Sequence, residues 1–152
     1  KKDLPAIAMS YGNVYVAHIA MGADRNQCLK AFLEAEAHKG PSVIIAYAPC
    51  ISHGVKGGLR GVQAVEKQAV AAGYWKLFRY DPNRIEKGLN PFQLDSKEPS
   101  ESYRDFLMKE VRYNSLMRAF PERAEKLFTQ AEKNSLIEYH QLKAKADAPL
   151  VQ

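Results

Sequence analysis

The sequence is poor in cysteine and has no long apolar run, and these absences exclude whole classes of protein. It carries only two cysteines in 152 residues, too few for a disulfide scaffold, which favours a reducing and cytoplasmic setting. No apolar run is long enough to predict a transmembrane helix, so we expect no membrane association. The basic residues Lys1 and Lys2 are not followed by the apolar core of a signal peptide. We find no internal repeat and no low-complexity segment.

Motifs for binding phosphate or nucleic acid are also missing. The glycine-rich loop at 54–58 matches neither Gly-x-x-x-x-Gly-Lys-Ser/Thr nor Gly-x-Gly-x-x-Gly, so it does not predict a phosphate cradle. The net charge of +5 admits a basic nucleic-acid-binding protein, but no helix-turn-helix, zinc-finger or RNP-like pattern supports one. An acidic protein partner or an anionic cofactor explains the charge equally well. Salt-sensitive retention on DNA or RNA would favour the nucleic-acid hypothesis.

Hydrophobic periodicity and turn residues predict an α/β fold. Strands are predicted over 14–21, 41–46 and 74–80, and helices over 3–12, 24–38 and 59–72. Asp3 and Asp24 are the expected N-caps of the first two helices. The strand–helix–strand order implies parallel pairing with right-handed crossovers. In the second helix, Leu29, Phe32, Leu33 and Glu36 mark the helical spacing.

The last third of the chain differs in character. Residues 100–147 are rich in helix formers and broken at Pro121, so we divide the chain into an α/β part (1–97), a helical extension (98–147) and a tail (148–152). An apolar helix face must be covered. We therefore expect the extension to fold back over the α/β part, with part of its stripe covering a neighbouring chain. The expected anchors are Tyr103, Phe106, Leu107, Phe120 and Leu127.

Cys50 stands at the most informative point of the sequence. It follows the run 41–46, which predicts a buried strand, and Pro49 ends that strand. The carboxyl edge of an open α/β sheet is where ligands bind, and a thiolate there suits metal or nucleophilic chemistry. A structural cysteine at the end of a buried strand is the plain alternative. Cys28, in mid-helix, predicts a small core residue, and His18 predicts a core histidine.

Several blocks of sequence, in order, resemble the carboxyl-terminal end of the pyruvate:ferredoxin (flavodoxin) oxidoreductases. The most specific block runs from Gly40 to Ile51 and continues with His53 and Gly54. The other matching blocks are Lys2–Leu4, Ala8–Gly12, Val14–Ala17, Met21–Ala23, Gly73–Trp75, Phe78–Pro82 and Asn90–Lys97. The resemblance extends from the first residue to about Ala131.

The resemblance implies an enzyme that decarboxylates pyruvate on thiamine diphosphate with Mg²⁺. Electrons would pass through [4Fe-4S] clusters to ferredoxin or flavodoxin, and coenzyme A would take up the product as acetyl-CoA. This chain would be the second half of the thiamine-diphosphate-binding domain, with a mostly parallel sheet. The family's Gly-Asp-Gly and Asn-Thr-Gly-Gly-Gln motifs precede the position of Lys1 and do not occur here. We therefore expect a homodimeric full-length enzyme, assembled with the rest of the same polypeptide, and an inactive isolated chain.

The resemblance assigns one functional residue, Cys50, and the position and charge of His53 and Lys56 make these two residues candidates beside it. Cys50 would be the distant fourth ligand of a [4Fe-4S] cluster whose other ligands lie far upstream. His53 is a candidate for a hydrogen bond near the cluster or cofactor, although Cys-x-x-His alone is a weak metal signal and no second pair of zinc ligands is present in the sequence. Lys56, with Arg60, would support the anionic cluster or dock the electron acceptor, and the plain alternative is a solvated loop that opens a helix. A different hypothesis for the whole chain is an autonomous α/β interaction module whose basic loop docks an acidic redox partner.

Overall fold

The computed structural model of the chain describes residues 2–50, 55 and 58–149. Its helices and strands are, in chain order, α1 (Leu4–Met9), β1 (Tyr15–Ile19), α2 (Arg25–Ala37), β2 (Ser42–Ala46), α3 (Val62–Ala71), β3 (Phe78–Tyr80), β4 (Phe92–Leu94), α4 (Tyr103–Lys109), α5 (Val111–Ala119) and α6 (Pro121–Asp147). Short 3₁₀ helices cover Gly58–Gly61 and Pro82–Lys87. The predicted α/β class with a helical tail is confirmed. No helix in the described part of the chain is long and apolar enough to cross a membrane.

Local sequence signals fix where the first helices begin. The carboxylate of Asp3 accepts a hydrogen bond from the Ala6 amide at 2.9 Å, and that of Asp24 accepts one from the Gln27 amide at 2.9 Å. Each bond satisfies an amide that has no partner within its helix. Both predicted N-caps are therefore confirmed.

The sheet is mixed, with strand order β2-β1-β3-β4. β1 and β2 run parallel, as predicted, with Val16 opposite Val43. β3 runs antiparallel to β1, with Val16 opposite Tyr80, and β4 runs antiparallel to β3. The predicted parallel pairing of the third strand, and with it the mostly parallel sheet, is therefore wrong. The strand β4 was not predicted at all.

The position of α3 explains the reversal of β3. A parallel connection needs a helix that carries the chain back along the sheet. Instead, α3 lies at the carboxyl end of β1, where the Glu66 carboxylate accepts a hydrogen bond from the Gly22 amide at 2.6 Å. Gly22 must be glycine here, since an added Cβ would come within 2.5 Å of the Gln63 backbone. After α3, Trp75 is still at this end and donates its indole N–H to the Ile19 carbonyl. The chain thus enters β3 from the same end at which it left β1.

β2 forms as predicted but is not buried. It is the edge strand of the described sheet, and its central residues Val43, Ile44 and Ile45 are only half-buried. The composition predicted burial because the strand is apolar on both faces. Within the described residues, β2 pairs with one strand, β1, and its other edge lies at the border of the sheet.

Helix α2 packs on the sheet through small side chains. Cys28 and Ala31 are buried against β1, whereas Leu29, Phe32 and Leu33 are more than half exposed. The larger residues marked the helical spacing correctly, but they do not face this sheet. Small residues face it because they let the helix approach closely.

The helical tail folds back across the α/β part, as expected. Phe106 and Leu107 of α4 are buried against Ala69 and Ala72 at the end of α3, together with Ala124 and Phe128 of α6. The carboxyl-terminal turns of α6 pack on the sheet through Leu142 and Ala146. They cover the face of the sheet that is turned away from α2.

The predicted tail anchors are correct only in part. Tyr103 packs against the same cluster as Phe106 and Leu107, but Phe120 and Leu127 are exposed to 59% and 48%. Phe120 lies at the junction of α5 and α6, outside both helices. Its backbone therefore does not continue the helical spacing on which the prediction depended.

Candidate functional site

Cys50 lies just beyond the carboxyl end of β2, and its side chain is exposed. It opens onto a cleft of about 180 Å³. The residues that line the cleft are Tyr47, Ala48, Pro49, Cys50, Glu110 and Arg112. The first four continue from β2, and the last two come from the junction of α4 and α5. The tail therefore supplies one wall of the cleft around the thiol.

The wall formed by Tyr47 is held firmly. Its amide donates a hydrogen bond to the Ile19 carbonyl at 3.0 Å, which extends the parallel ladder beyond β2. Its ring lies 5.3 Å from that of Trp75, whose indole N–H donates to the same carbonyl at 3.0 Å. Burial raises the pKa of Tyr47 to about 12, so the phenol is neutral at physiological pH.

The opposite wall carries a positioned cation. Arg112 donates a hydrogen bond from Nη2 to the Tyr74 hydroxyl at 2.7 Å, and its guanidinium lies 4.6 Å from the centre of the Tyr113 ring. The hydroxyls of Tyr74 and Tyr113 are 2.9 Å apart. Burial raises the pKa of Tyr74, which keeps this phenol protonated beside the guanidinium. The cleft that Cys50 lines is therefore also lined by one basic and one acidic residue, Arg112 and Glu110.

Sequence reasoning missed Glu110 and Arg112. They are far from Cys50 in the chain and belong to no motif. Their place in the cleft depends on how the tail packs, which the local sequence does not encode.

The other predicted core residues lie away from this cleft. Cys28 is buried between α2 and β1, and burial raises the pKa of its thiol, which favours the uncharged form. The His18 ring stacks between Trp75 and Phe78, with ring centres 3.7 and 4.8 Å away. Its Nδ1 is 2.8 Å from the Lys76 carbonyl oxygen. Burial lowers the pKa of His18, so the imidazole is neutral. Both predictions of core residues are confirmed.

The predicted neighbours of Cys50 are only partly described. His53 and Lys56 lie outside the described residues, as do Gly54 and Gly57. Arg60 is exposed in the 3₁₀ helix Gly58–Gly61. Within residues 2–50, 55 and 58–149, no three His, Cys, Asp or Glu side chains gather as a metal site.

The exposed thiol of Cys50 is suited to supply one ligand of a metal cluster whose other ligands come from elsewhere. A [4Fe-4S] cluster takes four thiolates, and one of them can come from a remote segment of chain. An exposed thiol in an open cleft can reach such a cluster, whereas the buried Cys28 thiol cannot. The described part of the chain therefore fits a single-ligand contribution through Cys50.

Comparison with known proteins gives a consistent set of relatives. No family model matches the chain. A pyruvate-flavodoxin oxidoreductase of Klebsiella pneumoniae is 56% identical over 93% of the chain, and a pyruvate:ferredoxin oxidoreductase of Moorella thermoacetica is 54% identical over 97%. The chain is homologous to one segment of the pyruvate:ferredoxin (flavodoxin) oxidoreductases. The resemblance seen in the sequence is thereby confirmed.

The relatives are much longer than this chain. It spans about 12% of the length of the Klebsiella and Moorella oxidoreductases. A mitochondrial pyruvate dehydrogenase [NADP(+)] of Euglena gracilis is 42% identical over 98% of the chain, which covers 8% of that protein. The similarity therefore concerns one part of a large polypeptide.

Proposed function

We propose that this chain is part of an enzyme that oxidatively decarboxylates pyruvate to acetyl-CoA and CO₂ and delivers the electrons to ferredoxin or flavodoxin. The identity of 54–56% with relatives named for pyruvate and for these acceptors supports the proposal. In this function the chain forms the second part of a thiamine-diphosphate-binding domain, over residues 1–97, with residues 98–147 as its helical extension. The α/β architecture and the packing of the tail are compatible with that role.

The exposed Cys50 thiol in its cleft is the observation that carries the site assignment. We assign its sulfur as one ligand of a [4Fe-4S] cluster, with the other ligands supplied by the remainder of the longer protein. When bound, the cluster accepts and passes on single electrons. Pro49 restricts the backbone before Cys50 and so limits the directions in which the thiol can point.

Two charged residues of the helical tail, Arg112 and Glu110, would act electrostatically on a cluster bound at Cys50. The Arg112 guanidinium, held by Tyr74, places a positive charge on the cleft, which favours the more negative, reduced form of a bound cluster. The Glu110 carboxylate lines the same cleft and opposes that effect. His53 and Lys56 stay candidates for a hydrogen bond and for further electrostatic support.

The decisive experiment replaces Cys50 with serine in the full-length protein. Cys50→Ser is expected to lose or degrade one cluster, seen as a lower iron content and an altered EPR spectrum of the reduced protein. Electron delivery to the acceptor should fall, while thiamine diphosphate should still bind. Cys28→Ala is the matched control, because it removes the buried thiol and should leave the clusters intact. An unchanged iron content and spectrum in Cys50→Ser would show that Cys50 is not a ligand.

A further inference from the structure

A segment of four residues between α3 and β3, residues 73–76, contacts both walls of the cleft. Trp75 packs against Tyr47 of one wall, with 5.3 Å between the ring centres. Tyr74 accepts the hydrogen bond from Arg112 of the other wall through its hydroxyl. Two adjacent residues thus contact opposite walls, and the position of the segment sets how the walls are placed relative to each other. We call residues 73–76 the linking segment.

One turn of α6 binds both ends of the linking segment. At the first residue, the Ser135 hydroxyl donates a hydrogen bond to the Gly73 carbonyl at 2.6 Å. At the last residue, the Lys76 ammonium donates to Ser135 Oγ at 3.1 Å and to the Glu138 carboxylate at 2.5 Å. Ser135 and Lys76 are only 6% and 5% exposed, so water competes little for these bonds. A buried ammonium and a buried hydroxyl therefore join the segment to the tail.

The linking segment is also bonded to β1. The Trp75 indole N–H donates to the carbonyl of Ile19, the last residue of β1, at 3.0 Å. The His18 ring stacks on the indole, and its Nδ1 is 2.8 Å from the Lys76 carbonyl oxygen. β1 in turn pairs with β2 along its whole length. The linking segment therefore connects the tail to the two strands behind the thiol.

We infer that Lys76 is a positioning residue for the site at Cys50. By fixing α6 against the linking segment, it determines where Arg112 stands in the cleft. Its effect is exerted through Tyr74, two residues away, whose hydroxyl holds the guanidinium. Lys76 itself does not line the cleft. The inference rests on the proposed function for one point, that Cys50 is the group on which the cleft acts.

The chemistry of the side chain favours positioning over simple burial. A buried ammonium must be given acceptors, because an unpaired buried charge is strongly unfavourable. Both side-chain acceptors of Lys76 come from one turn of α6, so a helix displaced by a single residue would no longer supply them. Methionine would fill a similar volume, and replacing a buried ion pair by apolar side chains is often neutral for stability. The ammonium therefore contributes one defined placement of the tail rather than stability alone.

Alkylation of Cys50 measures the placement of Arg112 without any cluster. The reduced 152-residue chain, with Cys28→Ala so that Cys50 is its only thiol, is treated with anionic iodoacetate and with neutral iodoacetamide. The ratio of the two rate constants reports the charge beside the thiol. Arg112→Met should lower the ratio about two- to fivefold, the effect of one nearby charge in water. Lys76→Met should lower it about twofold, because Arg112 is then no longer held in place.

Arg79→Met is the matched control. It also replaces a buried cation by methionine, but the hydrogen bonds of Arg79 run to Glu34 and Asp95, on the α2 side of the sheet. It should leave the alkylation ratio unchanged at a temperature at which the variant is folded. Folding of each variant is checked by the fluorescence of Trp75, the only tryptophan of the chain.

Ser135→Ala is a milder second variant. It removes the hydroxyl that binds the Gly73 carbonyl and the Lys76 ammonium, but it keeps the ion pair between Lys76 and Glu138. It should lower the ratio in the same direction as Lys76→Met. It decides the question if Lys76→Met does not fold.

Three results would overturn the inference. A wild-type ratio in folded Lys76→Met, or in Ser135→Ala if Lys76→Met does not fold, would show that Lys76 does not place the wall. An equal fall in Lys76→Met and Arg79→Met would trace the change to lost stability. An unchanged ratio in Arg112→Met would show that this charge does not act at Cys50. These outcomes are separate from the proposed function, which Cys50→Ser tests by iron content and EPR.

Discussion

Replacing Arg79 is the most severe single test of how this fold holds together. The side chain is buried in β3, with 4% exposure. Nη1 donates to both carboxylate oxygens of Glu34 at 2.6 and 2.7 Å, while Nε and Nη2 each donate to Asp95 at 2.9 Å. Burial alone would lower the pKa of Arg79, but the hydrogen bonds that it donates to Asp95 and Glu34, and their negative charges, raise it overall. One guanidinium therefore joins α2, β3 and the segment after β4.

The cost of removing this charge follows from the partners that stay behind. Arg79→Met keeps much of the apolar volume but leaves the largely buried carboxylate of Asp95 without its cationic partner, and that of Glu34 with only Lys30, at 4.0 Å. Breaking a buried pair in this way costs about 3–5 kcal/mol of unfolding free energy. For a chain of this size that corresponds to a fall in melting temperature of roughly 6–20 °C.

Thermal and urea unfolding of the isolated chain measure the effect. Arg104→Met is the control, because it removes a half-buried arginine whose partner, Glu125, is exposed, and it should therefore destabilise the chain much less. Adding Glu34→Gln and Asp95→Asn to Arg79→Met should recover part of the loss, since it removes the uncompensated charges. If Arg79→Met is no more destabilising than Arg104→Met, the electrostatic reasoning is refuted.

Three further predictions concern pH, the tail and cofactors. Burial lowers the pKa of His18 below its usual 6.5, so the unfolded chain binds more protons and stability should fall as pH drops from about 7.5 to 5.5. His18→Asn should flatten this dependence of melting temperature and His140→Gln should not; an equal slope in His18→Asn would contradict the assignment. Cutting the chain after Lys97 removes Phe106 and Leu107 from the core, where the burial of each large apolar side chain contributes roughly 1.5–3 kcal/mol to the free energy of unfolding. The shortened chain should therefore aggregate or lose cooperative unfolding. A soluble product with an unchanged melting temperature would show the tail to be dispensable. The isolated chain should bind neither thiamine diphosphate with Mg²⁺ nor a stable cluster, and micromolar binding in calorimetry would contradict this.

Local features of the fold could be predicted from the sequence, but only some of the non-local ones could: the parallel pairing of β1 with β2 was predicted, whereas the direction of β3 was not. The capping bonds of Asp3 and Asp24 form within one helical turn, so the sequence pattern is sufficient to predict them. The direction of β3 depends on where α3 packs, which is set by the contact between Gly22 and Glu66. The hydrophobic periodicity of the sequence does not predict that contact. The strand–helix–strand order alone therefore favoured parallel pairing of β3, which is wrong.

The candidate site shows the same division. The position of Cys50 after β2 follows from a strand pattern ended by Pro49, and both are local signals. Arg112 reaches the cleft only because its partner Tyr74, on the loop after α3, meets the tail there. The burial of Lys76, which does not line the cleft, was also not predicted. Its Nζ donates hydrogen bonds to Ser135 and Glu138 of α6, so its burial likewise depends on how the tail packs.

The helical tail therefore has two separable effects on the site. Its buried residues stabilise the α/β part, as Phe106 and Leu107 show by their contact with the end of α3. Its charged residues, Glu110 and Arg112, form a wall of the cleft beside Cys50. A tail that only covered apolar surface would not need a guanidinium fixed by both a tyrosine hydroxyl and an aromatic face. Because Arg112 is exposed, its hydrogen bond adds little to stability, and in the proposed function its charge acts on the cleft together with the opposite charge of Glu110.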